Sequence, residues 1–164
     1  MTAILRVFAL LLLITGTAYA INRWTLQPLR CGHAASLGAE ALDLSSQSVY
    51  QTARQVRADL HDCECVSLPD ASIPLTLAAA AEASDDPRAA IIEYQRALQR
   101  DRRPEIYFQL ALAQQQTLNH PAALDNLLRA CAFDPARLKD IPYDEMRKET
   151  EQKLRDRYGA DWVP

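Results

Sequence analysis

The sequence predicts an all-α fold, a short α-solenoid of antiparallel helical hairpins that follows an N-terminal targeting segment. Alanine and leucine dominate the apolar residues, which make up 49% of the 164-residue chain, and only four glycines occur. Such a composition favours helices over sheets. Apolar side chains also recur at helical spacing between residues 75 and 135, and the same residue types return there after about 33 residues. A period of that length is typical of helical-hairpin repeat arrays.

Two copies of the repeat can be aligned residue by residue. The matching pairs are Leu77 and Leu110, Ala78 and Ala111, Ala90 and Ala123, Tyr94 and Leu127, Ala97 and Ala130, and Asp101 and Asp134. The alanines are informative because two antiparallel helices approach closely only where the side chains between them are short. In the second copy Pro121 follows a break in the apolar pattern, and proline favours the first turn of a helix. Each copy therefore predicts two antiparallel helices joined by a turn.

The second copy, residues 104–135, resembles a tetratricopeptide repeat. The signature of that family is aromatic-x2-Leu-small-x2-Tyr, followed by Ala-x3-aromatic-x2-Ala-x4-Pro. At the same spacing the chain has Tyr107, Leu110, Ala111 and Gln114, followed by Ala123, Leu127, Ala130 and Pro135. Gln114 and Leu127 replace the usual aromatic residues, which is expected to loosen the packing slightly. The first copy, residues 74–103, keeps the central positions but has Pro74 in place of the first aromatic residue and Arg102 in place of the closing proline.

The resemblance implies a protein-interaction module and no enzyme. In tetratricopeptide repeats the first helix of each hairpin lines a concave groove that holds a peptide or helix of a partner protein. Carried over position by position, the groove would be lined by Leu75, Ala79 and Glu82 from the first copy and by Glu105, Phe108, Leu112, Gln115 and Gln116 from the second. Phe108 is the expected anchor. The expected function is that of an adaptor, or of an assembly subunit, in a bacterial-type cell envelope.

Composition and motifs argue against other function classes. The net charge is −3 and no basic stripe with interleaved aromatic residues occurs, so nucleic acid is not an expected partner. No nucleophile elbow, glycine-rich phosphate loop or HExxH motif occurs, and we expect no catalytic residue and no cofactor. Arg100, Arg102 and Arg103 form a small basic cluster between the two copies, which Asp101 and Glu105 partly neutralise. This cluster is either a solvated linker or a contact for an anionic ligand or an acidic partner segment.

A further helical hairpin is expected before the repeats, over residues 33–66. Its first helix is predicted from His33 to Leu42, and its second begins near Ser45 and Ser46, which are good N-cap residues. This hairpin lacks the repeat signature, so we interpret it as a degenerate repeat or as the cap that an exposed end of a repeat array needs. The prolines of Leu68–Pro74 predict a non-helical connector to the first repeat.

After the repeats, residues 136–164 predict a C-terminal capping helix and a short tail. The helix is expected over Tyr143–Tyr158, where charged residues dominate and apolar positions are few. Such a polar helix suits a cap that covers the last repeat and keeps the array soluble.

The first twenty residues are predicted to be a targeting segment. Arg6 precedes an apolar run that starts at Val7, and the run ends in Ala18-Tyr19-Ala20, the small-x-small pattern of a signal-peptidase site. A cleaved export signal is favoured, and a retained N-terminal membrane anchor is the alternative; residues 21–32 would then be a linker. Both interpretations place the folded part outside the cytoplasm, in the periplasm or anchored in the inner membrane and facing the periplasm.

Export would place the cysteines where disulfides persist. Cys31 lies at the start of the first hairpin and Cys63 follows its second helix, so an antiparallel pair would bring the two side by side. A bridge between them would close a loop of about 30 residues, although Cys65 is an alternative partner. Cys131 lies beside Ala130 in the last repeat and is interpreted as a small buried apolar residue.

The same end of the hairpin supports a second hypothesis, an envelope metal-binding or thiol-redox protein. Its site would be the cluster Cys31, His33, His61, Cys63 and Cys65. Thiolates and imidazoles are suitable ligands for zinc or copper. The spacing matches no common structural zinc pattern, however, and the CxxC motif of redox proteins does not occur. We therefore expect a disulfide scaffold with no metal.

Overall fold

The computed structural model describes residues 2–44, 49–63 and 71–159, and in these ranges the chain is helical and contains no strand. The helices are α1 (Thr2–Ile21), α2 (Gln27–Leu44), α3 (Val49–Leu60), α4 (Ser72–Ala83), α5 (Pro87–Leu98), α6 (Pro104–Gln116), α7 (His120–Phe133) and α8 (Asp144–Tyr158). A π-helical stretch, Asn22–Leu26, joins α1 to α2, and 3₁₀ segments occupy His61–Cys63 and Pro135–Asp140. The predicted all-α fold class is confirmed.

Helices that follow each other along the chain pack against each other. From α2 to α8 every consecutive pair is in contact, and α2 additionally packs against α4. The buried side chains form three clusters, one around α2, α3 and α4, one around α4, α5 and α6, and one around α6, α7 and α8. Neighbouring clusters share α4 or α6. This stacking of hairpins is helical-repeat-like, because each layer contacts only its neighbours.

Most of the residues that define the sequence repeat pack between the two helices of one hairpin, whereas Leu77 and Leu110 belong to the cluster shared with the preceding hairpin. All of the following are buried: Leu77, Ala78, Ala90, Tyr94 and Ala97 in the first copy, and Tyr107, Leu110, Ala111, Gln114, Ala123, Leu127 and Ala130 in the second. The side-chain amide of Asn126 donates a hydrogen bond of 2.8 Å to Gln114 Oε1, which satisfies the polar group that stands in place of an aromatic ring.

The turns inside the two repeats also have the same geometry. Asp85 and Leu118 both adopt a left-handed backbone conformation, with φ of 55° and 61°. In each turn the next amide, that of Asp86 or Asn119, donates to a carbonyl of the preceding helix at 2.9 Å. Prolines then occupy the first turns of α5 and α7, where a proline is tolerated because amides in the first turn have no hydrogen-bond partner within the helix. The period of the sequence is thus reproduced in the backbone.

Several boundaries differ from the expectation. Within residues 21–32, the expected linker, the chain is helical, and α2 begins at Gln27 instead of His33. Pro74, which we expected in a non-helical connector, lies inside the first turn of α4, where a proline is tolerated because that amide has no partner within the helix. The expected N-caps Ser45 and Ser46, residues 68–70 of the connector, and the tail after Gly159 lie outside the described residues.

The helix α1 coincides with the predicted targeting segment and makes its main contacts with the π-helical stretch that follows it. In the described part of the chain, no helix combines the length and the apolar character that crossing a membrane requires. Residues 12–26 are exposed, and Trp24 is 81% exposed.

Candidate protein-binding groove

The predicted groove residues of the first repeat lie along one face of α4. Leu75, Ala79 and Glu82 follow each other at helical spacing and are all half-buried. On α6, Glu105 and Gln116 are exposed, whereas Leu112 and Gln115 are half-buried. These faces border the middle core cluster, which joins α4 to α6 through α5.

An open cleft of about 250 Å³ lies between the N-terminal halves of α4 and α6. Its lining consists of Leu75, Tyr94, Arg103, Glu105, Ile106 and Gln109. Leu75 and Glu105, both predicted groove residues, are therefore brought together. Tyr94 and Arg103 were missed because Tyr94 belongs to the second helix of its hairpin and Arg103 to a loop, whereas only first-helix positions were carried over. Ile106 and Gln109 lie on the first helix α6 but were not among the positions carried over. Gln109 could have been found, since it lies one helical turn after Glu105 on the same face.

Ion pairs fix the charged residues at the mouth of the cleft. Arg103 Nε lies 2.6 Å from Asp101 Oδ2, and Arg137 donates a hydrogen bond of 3.1 Å to Glu105 Oε1. The pKa of Glu105 is lowered, first by a hydrogen bond from its own backbone amide and then by Arg137. Glu105 is consequently an ionised carboxylate that is already paired with Arg137.

Phe108 does not line the groove, which corrects the prediction that it anchors a partner. Only 5% of this residue is exposed, and the guanidinium of Arg137 lies over its ring, 5.9 Å from the centroid. Leu138 and Ile141 pack in the same core cluster. The physical reason is that the 3₁₀ segment after α7 closes over this part of α6, so that Phe108 becomes a core residue of the C-terminal cap.

Two polar residues of the predicted groove have a specific environment. The Tyr94 hydroxyl and the Glu82 carboxyl interact across the contact between α4 and α5. Burial raises the pKa of Glu82, against the lowering effect of this interaction, and burial together with the Glu82 charge raises the pKa of Tyr94. Gln115 Oε1 is buried and accepts no hydrogen bond from the described residues. Glu82 and Gln115 therefore contribute more to packing than to an open surface.

Comparison with protein-family models, curated proteins and solved structures finds no match for this chain.

The predicted disulfide is confirmed. Cys31 and Cys63 are bonded, with their Cα atoms 5.5 Å apart, and both are buried in the first core cluster. The alternative partner Cys65 lies outside the described residues. Cys131 is a free, fully buried thiol, and burial, followed by the charges of Asp134 and Asp140, raises its pKa to about 11. That thiol is protonated at neutral pH and is a poor nucleophile or ligand.

The bridge also bears on the metal hypothesis. Two of the three thiols in that cluster are joined to each other, and a disulfide sulfur is not the thiolate that zinc or copper(I) requires. His33 and His61 are exposed residues at this end of the hairpin. Among the described residues no group of three or more metal-ligating side chains is assembled.

Proposed function

We propose that this chain is an exported, non-enzymatic adaptor of tetratricopeptide-repeat type that binds a segment of a partner protein between α4 and α6. The observation that carries this proposal is the repeated hairpin itself. Two hairpins with the same buried positions and the same left-handed turn stand side by side, and their first helices border an open cleft. Helical repeat arrays use such surfaces for binding, because stacking leaves one face of the first helices uncovered.

The groove differs from the one derived by carrying positions over from the repeat family. Its accessible part consists of the cleft residues Leu75, Arg103, Glu105 and Gln109 together with Ala79 and Gln116, since Tyr94, Ile106 and Phe108 are buried. With two repeats the surface is short. Short interfaces give modest affinity unless a few contacts are very favourable, so an adaptor or a subunit within a larger assembly fits better than an independent tight binder.

Export is supported by the bridge between Cys31 and Cys63. Disulfides persist in oxidising compartments and are rare in the bacterial cytosol. Together with the small-x-small pattern Ala18-Tyr19-Ala20, this supports a cell-envelope location, with the repeats in the periplasm. The proposal accommodates either a free protein or a subunit held at the inner membrane by its N-terminal segment.

Site-specific photo-crosslinking in the native host tests the groove. A crosslinking residue placed at Gln109 or at Gln116 is expected to give the same discrete protein adduct, whereas one at Ala132 on the exposed face of α7 gives none. The paired substitution Ala79→Arg and Gln116→Arg should abolish the adduct formed from Gln109, because two long cations then fill the groove.

The matched control is the pair Ile92→Arg and Ala132→Arg, which adds the same charge at two exposed positions of the second helices. This control should leave the adduct unchanged. Adducts of equal intensity from Gln109 and Ala132, or an adduct that survives the groove substitutions, would refute a binding surface between α4 and α6. Helical content measured by circular dichroism should be equal in all variants.

A further inference from the structure

We propose that residues 21–30, the helical stretch before the bridged hairpin, bind the headgroup region of an anionic phospholipid bilayer. In this N-terminal stretch Trp24 lies at the boundary between headgroups and acyl chains, and Arg23 and Arg30 lie beside lipid phosphates. The stretch is separate from the groove between α4 and α6, so the inference stands whether or not that groove holds a partner. Cleavage after Ala20 does not decide it either, because the stretch stays on the chain in both cases.

The N-terminal stretch belongs to a helix that projects from the hairpins. The π-helical residues Asn22–Leu26 are flanked on both sides by right-handed helical backbone, so α1 runs into α2 without a break. These residues make their main contacts with α1 and α2, and full burial begins only at Cys31, where the bridge to Cys63 holds the helix. π-Helical turns are rare and occur frequently at functional sites. The stretch is therefore an accessible, continuous helix with an unusual local geometry.

One side of this helix is apolar and open to solvent. Ile21 and Leu29 are eight residues apart, which places them on the same face, and Trp24 and Leu26 flank that face on either side. All four side chains are large and exposed. Apolar residues that are exposed singly are normal, whereas four of them within ten residues of one helix indicate a surface that binds something.

The opposite side of the same helix is polar and basic. Arg23, Gln27 and Arg30 follow each other at positions i, i+4 and i+7, and Arg23 donates a hydrogen bond of 2.9 Å to Gln27 Oε1. Both arginines are exposed. A guanidinium has five donors, so Arg23 keeps donors for a phosphate while it holds Gln27. The stretch is thus amphipathic, with cations on its polar side.

The charge of the surrounding sequence has the same sign. No aspartate or glutamate occurs before Glu40, whereas three arginines do, although the chain as a whole carries −3. The basic charge is therefore concentrated in the N-terminal region and the acidic charge in the hairpins and the C-terminal helix. An anionic surface attracts the first and repels the second.

Two acidic residues near the base of the stretch limit this effect without removing it. Asp62 and Glu64 flank Cys63 in the sequence, and the bridge places Cys63 beside Cys31. Arg23 lies about 10 Å further along the helix axis, more than the Debye length of about 8 Å at physiological salt. Arg23 is therefore expected to contribute more to the electrostatic attraction than the arginine that precedes Cys31.

These features together match a helix at a bilayer surface. Interfacial helices bury an apolar side at the boundary between headgroups and acyl chains, and their arginines extend towards the phosphates. Tryptophan is enriched at the level of the headgroups, because its ring is largely apolar and its N–H is polar. Cys31 lies only about 10 Å from Trp24 along the helix axis, so the bridged hairpin would be held close to the membrane surface.

Tryptophan fluorescence of the full chain, with its disulfide formed, tests the inference. The chain has two tryptophans, so Trp162→Phe leaves Trp24 as the single emitter. Vesicles of phosphatidylethanolamine and phosphatidylglycerol should shift the emission of Trp24 to shorter wavelengths, because the ring leaves water. Lipids brominated near the headgroup end of their acyl chains should quench this emission more than lipids brominated near the methyl end.

The contribution of the arginines is measured by removing charge from either side. Vesicles of phosphatidylcholine alone should need about tenfold more lipid for the half-maximal shift than the anionic vesicles. The pair Arg23→Gln and Arg30→Gln should cause a similar increase with anionic vesicles. The control pair Arg88→Gln and Arg157→Gln removes the same charge at exposed positions of α5 and α8, and the value should stay within about twofold.

The contribution of the apolar side is measured in the same way. Leu26→Ser with Leu29→Ser should raise the lipid concentration at half-maximal shift by at least about tenfold, since apolar area is no longer buried in the bilayer. Leu37→Ser with Tyr50→Ser is the control, because both residues are exposed on the bridged hairpin outside the stretch. Helical content measured by circular dichroism should be equal in all variants.

Three results would overturn the inference. Vesicles could leave the emission of Trp24 unchanged, or quenching could be strongest near the methyl ends, which would place the ring in the bilayer interior. Equal binding to anionic and neutral vesicles would remove the role of the arginines. A short-wavelength emission that increases with protein concentration in the absence of vesicles would assign the stretch to contact with a second copy of the chain.

Discussion

At the scale of single residues, the repeat turns contain backbone strain. Asp85 and Leu118 are the non-glycine residues with positive φ among those described. A left-handed conformation costs an L-residue about 1–2 kcal/mol, although aspartate tolerates it through local hydrogen bonds and leucine does not. Leu118 is also 87% exposed, so its side chain recovers none of this free energy by burial. The turn of the second repeat is thus less favourable than that of the first.

Replacing this leucine with glycine should stabilise the protein. Leu118→Gly removes the steric cost of the left-handed conformation, but glycine loses more conformational entropy on folding. The free energy of unfolding should therefore rise by about 0.5–1 kcal/mol. Urea denaturation followed by circular dichroism measures the change. Leu118→Ala is the control, because it removes the exposed side chain but keeps the Cβ atom and hence the strain. Equal stabilities of the glycine and alanine variants would contradict a strained turn.

Glu82 gives the stability of the protein a pH dependence with a defined sign. Its folded-state pKa is raised above the ordinary value of 4.5 by burial, so between those two pKa values the native chain binds more protons than the unfolded chain. The contribution of this group to stability therefore decreases as pH rises from about 4.5 through the folded pKa. The interaction of Glu82 with the Tyr94 hydroxyl lowers the pKa of Glu82 and so partly offsets the effect of burial.

The substitution Glu82→Gln should flatten this part of the pH profile. Glutamine keeps the shape of the side chain and an acceptor oxygen, but it does not titrate. Urea midpoints measured between pH 4 and pH 7 should therefore decline less with rising pH in the variant than in the wild type. Glu145→Gln, on the exposed face of α8, is the control and should keep the wild-type slope. Parallel profiles for Glu82→Gln and the wild type would show that the carboxyl of Glu82 is solvated.

At the scale of helices, a glycine sets the distance between the N-terminal hairpin and the first repeat. A Cβ atom added at Gly38 of α2 would lie 2.9 Å from Val56 Cγ1 and 3.1 Å from Thr76 Cγ2. The Thr76 hydroxyl also donates a hydrogen bond of 3.1 Å to the carbonyl of Ala35. The helices α2, α3 and α4 thus meet at a point where only a hydrogen atom fits.

Gly38→Ala should destabilise the protein even though alanine is the better helix former. Overpacking costs about 1–3 kcal/mol, against a gain of about 1 kcal/mol in helix propensity, so a net loss of up to about 2 kcal/mol is expected. Repeating the substitution in a Val56→Ala background removes the nearest clashing methyl group. The loss should shrink there by at least about 0.5 kcal/mol, a coupling typical of residues in contact. Strictly additive effects would place the two side chains out of contact.

The helices and their contact positions could be predicted from the sequence because their signal is local and periodic. Ala78 and Ala111 are small because two helices contact each other there, and the two residues occupy the same position in the two copies of the repeat. The groove could be predicted only in part. Phe108 is covered by the segment that contains Arg137, almost 30 residues further along the chain, and no periodic pattern in the sequence predicts that contact. The cleft residue Arg103 comes from a loop, where sequence patterns say little about position.

At the scale of the whole molecule, the three core clusters form a chain in which each shares one helix with the next. The hairpin α2–α3 packs on α4 and on no later helix to a comparable extent. Its core is small, with alanines and a glycine at the contacts, so the bond between Cys31 and Cys63 is the main constraint at this end. Nearest-neighbour arrays of this kind can lose an end without losing the middle.

Removing the disulfide should therefore loosen one end of the array. On the chain-entropy model, a loop of this length contributes about 3–4 kcal/mol, and the free energy of unfolding of the N-terminal hairpin should fall by that amount in the variant with Cys31→Ser and Cys63→Ser. Amide hydrogen exchange followed by mass spectrometry should show faster exchange in α2 and α3, with protection of α6 and α7 retained. Wild-type protein under reducing conditions is the matched control and should give the same pattern. Faster exchange to an equal extent in all helices would mean that the molecule unfolds as one cooperative unit, and unchanged exchange in α2 and α3 would mean that packing on α4 holds the hairpin without the bridge.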